Sequence, residues 1–143
     1  EVIGRRVVDR FGLREIIVEN GGDIYARLVD GLDVPVFAGR SPLSGRVGIS
    51  IPAGEAEFGI CTSAGTVGPS LSFGKADALM VVCRMAPLAD AYATAFANRV
   101  QDKDDIQAVI ETMREIPEIM GALCVKDDVF GICGRFPLKL WRQ

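Results

Sequence analysis

The sequence has 143 residues, the size of one ordinary domain, and its 49% hydrophobic and 24% charged side chains predict a compactly folded soluble protein and exclude intrinsic disorder. Sixteen basic against nineteen acidic residues leave a net charge of -3 with no Lys/Arg-rich block, which argues against nucleic acid as a partner. The chain contains no histidine and no apolar run long enough for a membrane helix. Ser-His and Cys-His nucleophile pairs and histidine zinc sites are therefore excluded, and any catalysis must use carboxylates, hydroxyls, thiols, backbone amides or a metal bound by oxygen.

The chain starts at Glu1 without Met and runs at once into Val2, Ile3, Val7, Val8 and Phe11, an amphipathic pattern that predicts a helix over residues 2–11 closed by Gly12. So abrupt a start leads us to expect a further segment upstream. An apolar strand over residues 15–18 follows, then the turn Asn20-Gly21-Gly22-Asp23. Ile24, Ala26 and Leu28 next alternate with polar neighbours, which predicts a hairpin or bent strand pair over 15–28.

Short strands are expected at 34–38, 46–51 and 58–62, separated by Gly, Pro and Ser clusters, and a Gly/Ser/Thr-rich loop at 62–74 leads into a strand at 78–83. Pro87 opens a helix to about residue 100, and Asp104-Asp105 opens another that Pro117 stops. The tail reads as a hairpin, 123–126 with 129–133, across Asp127-Asp128. Strands outnumber helices without regular alternation, so the expected class is α+β, in one domain over 1–143.

Cys61, Cys83, Cys124 and Cys133 are scattered through apolar stretches with no Cys-x-x-Cys pair. They read as buried free thiols rather than disulfides or metal ligands, which favours a reducing cytoplasm.

Three constellations carry chemistry. In the Ala-rich helix, Asp90, Thr94 and Asn98 recur at i, i+4 and i+8 on one polar stripe. A carboxylate and a hydroxyl one turn apart can supply two oxygens to Mg²⁺. Equally, Asp90 can serve the helix N-terminus while Thr94 bonds back to its own helix. The segment Glu19-Asn20-Gly21-Gly22-Asp23 can bring backbone N–H groups to a ligand, or be an ordinary hairpin turn. The hydroxyl and glycine loop that begins at Thr62-Ser63 can cradle phosphates, though no Gly-Lys-Ser/Thr ending makes it a Walker loop.

In this order, Gly21-Gly22-Asp23, Thr62-Ser63 and Asp90-x-x-x-Thr94 resemble motifs of the FAD:protein FMN transferase (ApbE-type) superfamily, most like its divergent branch. The resemblance implies an ApbE-like, T-fold-like antiparallel sheet packed with helices. It also implies Asp90 and Thr94 as Mg²⁺ ligands, with Asn20, Gly21, Gly22, Asp23, Thr62 and Ser63 around a bound FAD. The implied partner is a nucleotide, with FMN or nucleotidyl transfer as the reaction, although the family's histidine has no counterpart here. Two further readings stand beside it: a non-catalytic small-molecule binding module, and a homo-oligomeric interaction domain in which residues 90, 94 and 98 form a seam between helices or subunits.

Overall fold

Side chains alternate across a strand, so a strand buried on both faces must lie between two layers, and the six buried residues of the run at Ala78–Cys83 place it at the centre of the molecule. The computed structural model describes residues 1–55, 57–65 and 74–142. In chain order the elements are α1 (Val2–Phe11), β1 (Ile16–Asn20), β2 (Asp23–Arg27), β3 (Leu32–Pro35), β4 (Val47–Ile51), β5 (Glu57–Ser63) and β6 (Ala78–Cys83). They continue with α2 (Ala86–Ala97), α3 (Asp105–Arg114), β7 (Ile119–Lys126), β8 (Val129–Gly134) and β9 (Leu138–Leu140). The class is α+β, as expected.

Strands β1-β2-β5-β6-β7-β8 form one antiparallel sheet and β3-β4-β9 a second. The faces of the larger sheet divide cleanly. Leu79, Val81 and Cys83 pack with Ala89, Ala93 and Phe96 of α2 and Ile106, Val109 and Met113 of α3. Their alternates Ala78, Met80 and Val82 pack with Ile49, Ile51 and Val34 of the smaller sheet. Helices, large sheet and small sheet therefore form three layers around two apolar cores, each fully buried Val or Leu contributing about 1.5–3 kcal/mol. No helix among the described residues is long and apolar enough to cross a membrane.

Two differences from the sequence expectation have local causes. Strand β7 begins four residues earlier than the predicted 123–126, because Gly121 stands opposite Val82 and Ile119 opposite Cys83, which leaves Met120 as an extra residue. The bulge breaks the period of two and hides the start of the strand. The smaller sheet is completed by the three-residue β9, two of its residues exposed and the strand too short to show a pattern. Pro35 is tolerated because β3 is an edge strand and needs no second partner.

The large sheet carries its first helical cover at one point of close approach. Ala86, the first residue of α2, lies directly on Gly59 of β5, and a Cβ at Gly59 would strike the backbone of Ala86. Gly59→Ala is accordingly expected to cost about 3 kcal/mol by forcing α2 off the sheet. Urea denaturation measures this, and an unchanged midpoint would show that α2 is not held by this contact.

Candidate functional site

The Gly21-Gly22 pair is the two-residue turn of the β1–β2 hairpin, with φ of 61° and 104°. Only glycine takes two successive left-handed positions at little cost, and the twist of such a turn matches that of the flanking strands. The turn sets Asp23 as the first residue of β2. In the sheet Asp23 stands opposite Cys61 of β5, and both face the helical layer. Helix α2 crosses β5 at Gly59, so one turn further along the helix Asp90 arrives above Cys61.

Three elements distant in sequence thus converge. One ligating atom each from Asp23, Cys61 and Asp90 lies within 4.8 Å of the others. The Cys61 thiol donates toward Asp90 Oδ1 at 3.5 Å, and Thr94 Oγ1 donates to the same oxygen at 3.4 Å. Both carboxylates are exposed while the thiol is buried, so the pair faces an open cleft with the sulfur buried beside them. The cleft measures about 290 Å³ and is lined by Asn20, Asp23, Tyr25, Pro87 and Asp90, with Glu1 at its end.

Burial pushes the Cys61 thiol far up, and the neighbouring Asp23 and Asp90 carboxylates raise it further. A thiolate there would meet two negative charges with little water to screen them. Cys61 is therefore a neutral donor to the carboxylates and not an activated nucleophile.

The cleft wall is braced by charge. Tyr25, 2% exposed, donates its hydroxyl to Glu57 Oε1 at 2.8 Å, and Arg5 of α1 donates to the same oxygen at 2.6 Å. Arg5 also pairs with Glu1 at 2.9 Å, and Glu1 Oε2 accepts the N–H of Ala86 at 2.9 Å. The residue before α2, Met85, has no side chain to cap it, so Glu1 serves that helix N-terminus from across the molecule. Burial raises Tyr25 to about 12, helped by the Glu57 charge. At Glu57 burial acts to raise the pKa, but the Tyr25 and Arg5 hydrogen bonds and the arginine charges outweigh it, and the net shift is downward.

The predicted residues divide between the two faces of the sheet. Asn20, Asp23 and Asp90 share the cleft, and Thr94 reaches it through Asp90. Gly21, Gly22 and Thr62 line a separate cavity on the opposite face, while Ser63 shares the helix face without lining the cleft. Asn98, third in the stripe, instead accepts the N–H of Gly74 at 3.2 Å. The hydroxyl loop over residues 66–73 lies outside the described residues. Cys61, read as a buried free thiol, and the Tyr25–Glu57–Arg5 brace were not singled out as site residues, because the strand register that places them joins residues 23 and 61, and 27 and 57, across long loops.

All four cysteines are buried and unpaired, and each thiol is shifted upward by burial, Cys83 to about 11 and Cys124 to about 12. They stay protonated at pH 8. The native protein is expected to react with a disulfide reagent at pH 8 at least about tenfold more slowly than the unfolded protein, in which all four thiols titrate. Rapid native labelling of Cys61 would contradict the protonated state.

A family model described as AbpE bacteria matches residues 1–119. The UPF0280 protein of Methanocella arvoryzae is 40% identical over 88% of the chain and 51% of its own length, and UPF0280 protein MJ1526 of Methanocaldococcus jannaschii is 36% identical over 94% and 57%. A third UPF0280 protein, from Methanosphaerula palustris, is 44% identical over 69% of the chain and 42% of its own length. The chain spans about half the length of the curated relatives it matches.

These matches overturn the resemblance to the FAD:protein FMN transferase (ApbE-type) superfamily, to which none of them points, and the T-fold-like layout it implied loses that support. The motifs behind it have local explanations. Gly21-Gly22 closes a hairpin, and Thr62 and Ser63 are consecutive strand residues that point to opposite faces. By the match over residues 1–119, the chain belongs to the AbpE bacteria family, and the relatives it resembles are UPF0280 proteins.

Proposed function

We propose that this chain is a small-molecule-binding domain that holds a phosphate-bearing ligand through a hard divalent cation at Asp23, Asp90 and Thr94. The observation that carries the reading is the convergence of the Asp23 and Asp90 carboxylates, from separate layers, at the mouth of one open cleft. Two like charges held together on a rigid frame repel, and a cation between them removes the repulsion.

The donor set fits Mg²⁺ or Mn²⁺. Two carboxylates and a hydroxyl supply oxygens, and so few protein ligands leave positions for water and phosphate. The protonated Cys61 thiol is a poor ligand for a hard ion and instead orients Asp90. When bound, the cation supplies charge neutralisation for a phosphate, while Asn20 and the edge of the hairpin supply polar contacts beside it. Binding rather than transfer is the reading this arrangement favours, because among the described residues no activated nucleophile stands beside the carboxylates. The expectation of FAD in particular rested on the resemblance and goes with it. What remains is a nucleotide-like ligand of the diphosphate class.

Titration of the protein with Mn²⁺, followed by electron paramagnetic resonance of the free ion, tests the cation site. One site is expected, weakened by at least about tenfold in Asp90→Asn and in Asp23→Asn. Unchanged Mn²⁺ affinity in both variants would reject it. ADP serves as the diphosphate probe, and equal ADP affinity with and without Mg²⁺ would reject the ligand class.

A further inference from the structure

Across the Gly21-Gly22 turn from the acidic cleft, the space between the two sheets opens into a second cavity of about 590 Å³. Ile24, Ile60 and Met80 of the large sheet form one wall, and Val34 and Pro35 of β3 form the other. Polar groups are few: the Thr62 hydroxyl, the glycine backbone, and Glu19 at the rim. Among the described residues no Lys or Arg lines it. Its volume lies within the roughly 300–1,000 Å³ of small-molecule pockets, whose walls are likewise mainly apolar with a few fixed polar groups.

Phe37 stands at the mouth, 73% exposed, although Val36 and Ala38 on either side of it are fully buried. The backbone here is pinned. Val36 N–H donates to Val47 O at 2.9 Å, Gly45 N–H to Val36 O at 2.7 Å, and Ala38 N–H to Ser44 Oγ at 2.9 Å. An extended segment fixed in this way must turn Phe37 outward, so its ring is presented and not frayed. A large aromatic side chain left in water at the edge of an apolar slot gains most from a flat partner.

We propose that this cavity is a binding site for an uncharged planar ring, which enters between the sheets and stacks on Phe37. An anion would find no cation among the described residues that line it, and a strongly polar ligand would leave its groups unpaired against Ile24, Ile60, Met80 and Val34. Ile24 lines this cavity and the acidic cleft alike, so the two adjoin across the hairpin turn. At Gly21 no described residue lies within 4 Å of where a Cβ would stand. One ligand with a ring at one end and a phosphate at the other would use both. That link rests on the cation reading above, whereas the ring site does not.

The ring site is tested with N-phenyl-1-naphthylamine, an uncharged probe whose fluorescence rises in apolar surroundings, in EDTA so that cation binding plays no part. Wild-type protein is expected to bind one probe molecule. Phe37→Ala should weaken binding by about fivefold through loss of stacking, and Thr62→Phe, which fills the cavity, should abolish it, with circular dichroism confirming that both variants are folded. Folded wild-type protein that does not bind the probe, or binding indifferent to both substitutions, would overturn the proposal. So would a dimer in sedimentation velocity that Phe37→Ala dissociates, since the occupant would then be a second copy of the chain.

Discussion

The contact between Ala86 and Gly59 sets the position of everything in the acidic cleft. Without a side chain at 59, α2 lies on the backbone of β5 instead of riding on a layer of side chains above it. Asp90 follows from Ala86 by one helical turn, and Cys61 follows from Gly59 by one pleat of the strand. The periods of helix and strand, started from one shared origin, bring a carboxylate and a thiol to 3.5 Å. Asp23 joins them because β2 pairs with β5 in a register that sets it opposite Cys61. No loop is needed to hold the cluster, and groups mounted on packed elements keep their geometry when a ligand arrives or leaves.

The helix start is fixed from a second direction. Glu1 accepts the Ala86 N–H, and the same residue holds Arg5, which in turn holds Glu57 on β5 beside Tyr25. The chain of charge runs from α1 through Glu1 to the start of α2 and from Arg5 to the sheet, tying both helices to the strands beside the cleft. Because Glu57 is held below its usual range, its contribution is present above the ordinary glutamate pKa and is lost as the pH falls through the depressed value. The brace therefore belongs to neutral conditions rather than acidic ones.

Much of the fold was legible because it is local. Helix α1 over residues 2–11 with its Gly12 cap, the hairpin at the paired glycines, the strand at 78–83 and the Pro87 start of α2 all follow from period, capping and turn chemistry within a few residues. What escaped was non-local. Nothing near Cys61 tells that it faces Asp23, because that depends on the pairing of strands separated by a long excursion through the second sheet. Nothing near Thr62 tells that its side chain points away from Asp90, since a shift of one residue in strand phase exchanges the faces of Thr62 and Cys61. Asp90 and Thr94 could be read from spacing because one helix carries both.

The same distinction explains why three short motifs in the right order suggested a family that the matches do not support. A two-glycine turn is what antiparallel strands require when the hairpin is tight, and an acidic residue beside it is common because short polar side chains suit turns. Hydroxyl pairs at a strand end and a carboxylate with a hydroxyl one helical turn later are likewise produced by folding rules that act in unrelated proteins. Order along the chain adds little when each motif is this cheap to form, and the divided placement of Gly21, Gly22 and Thr62 from Asp90 shows that sharing a sequence order is not sharing a site. What does discriminate is the three-dimensional remainder. A buried thiol beside two carboxylates and an apolar slot across one turn from them are arrangements that no single motif dictates.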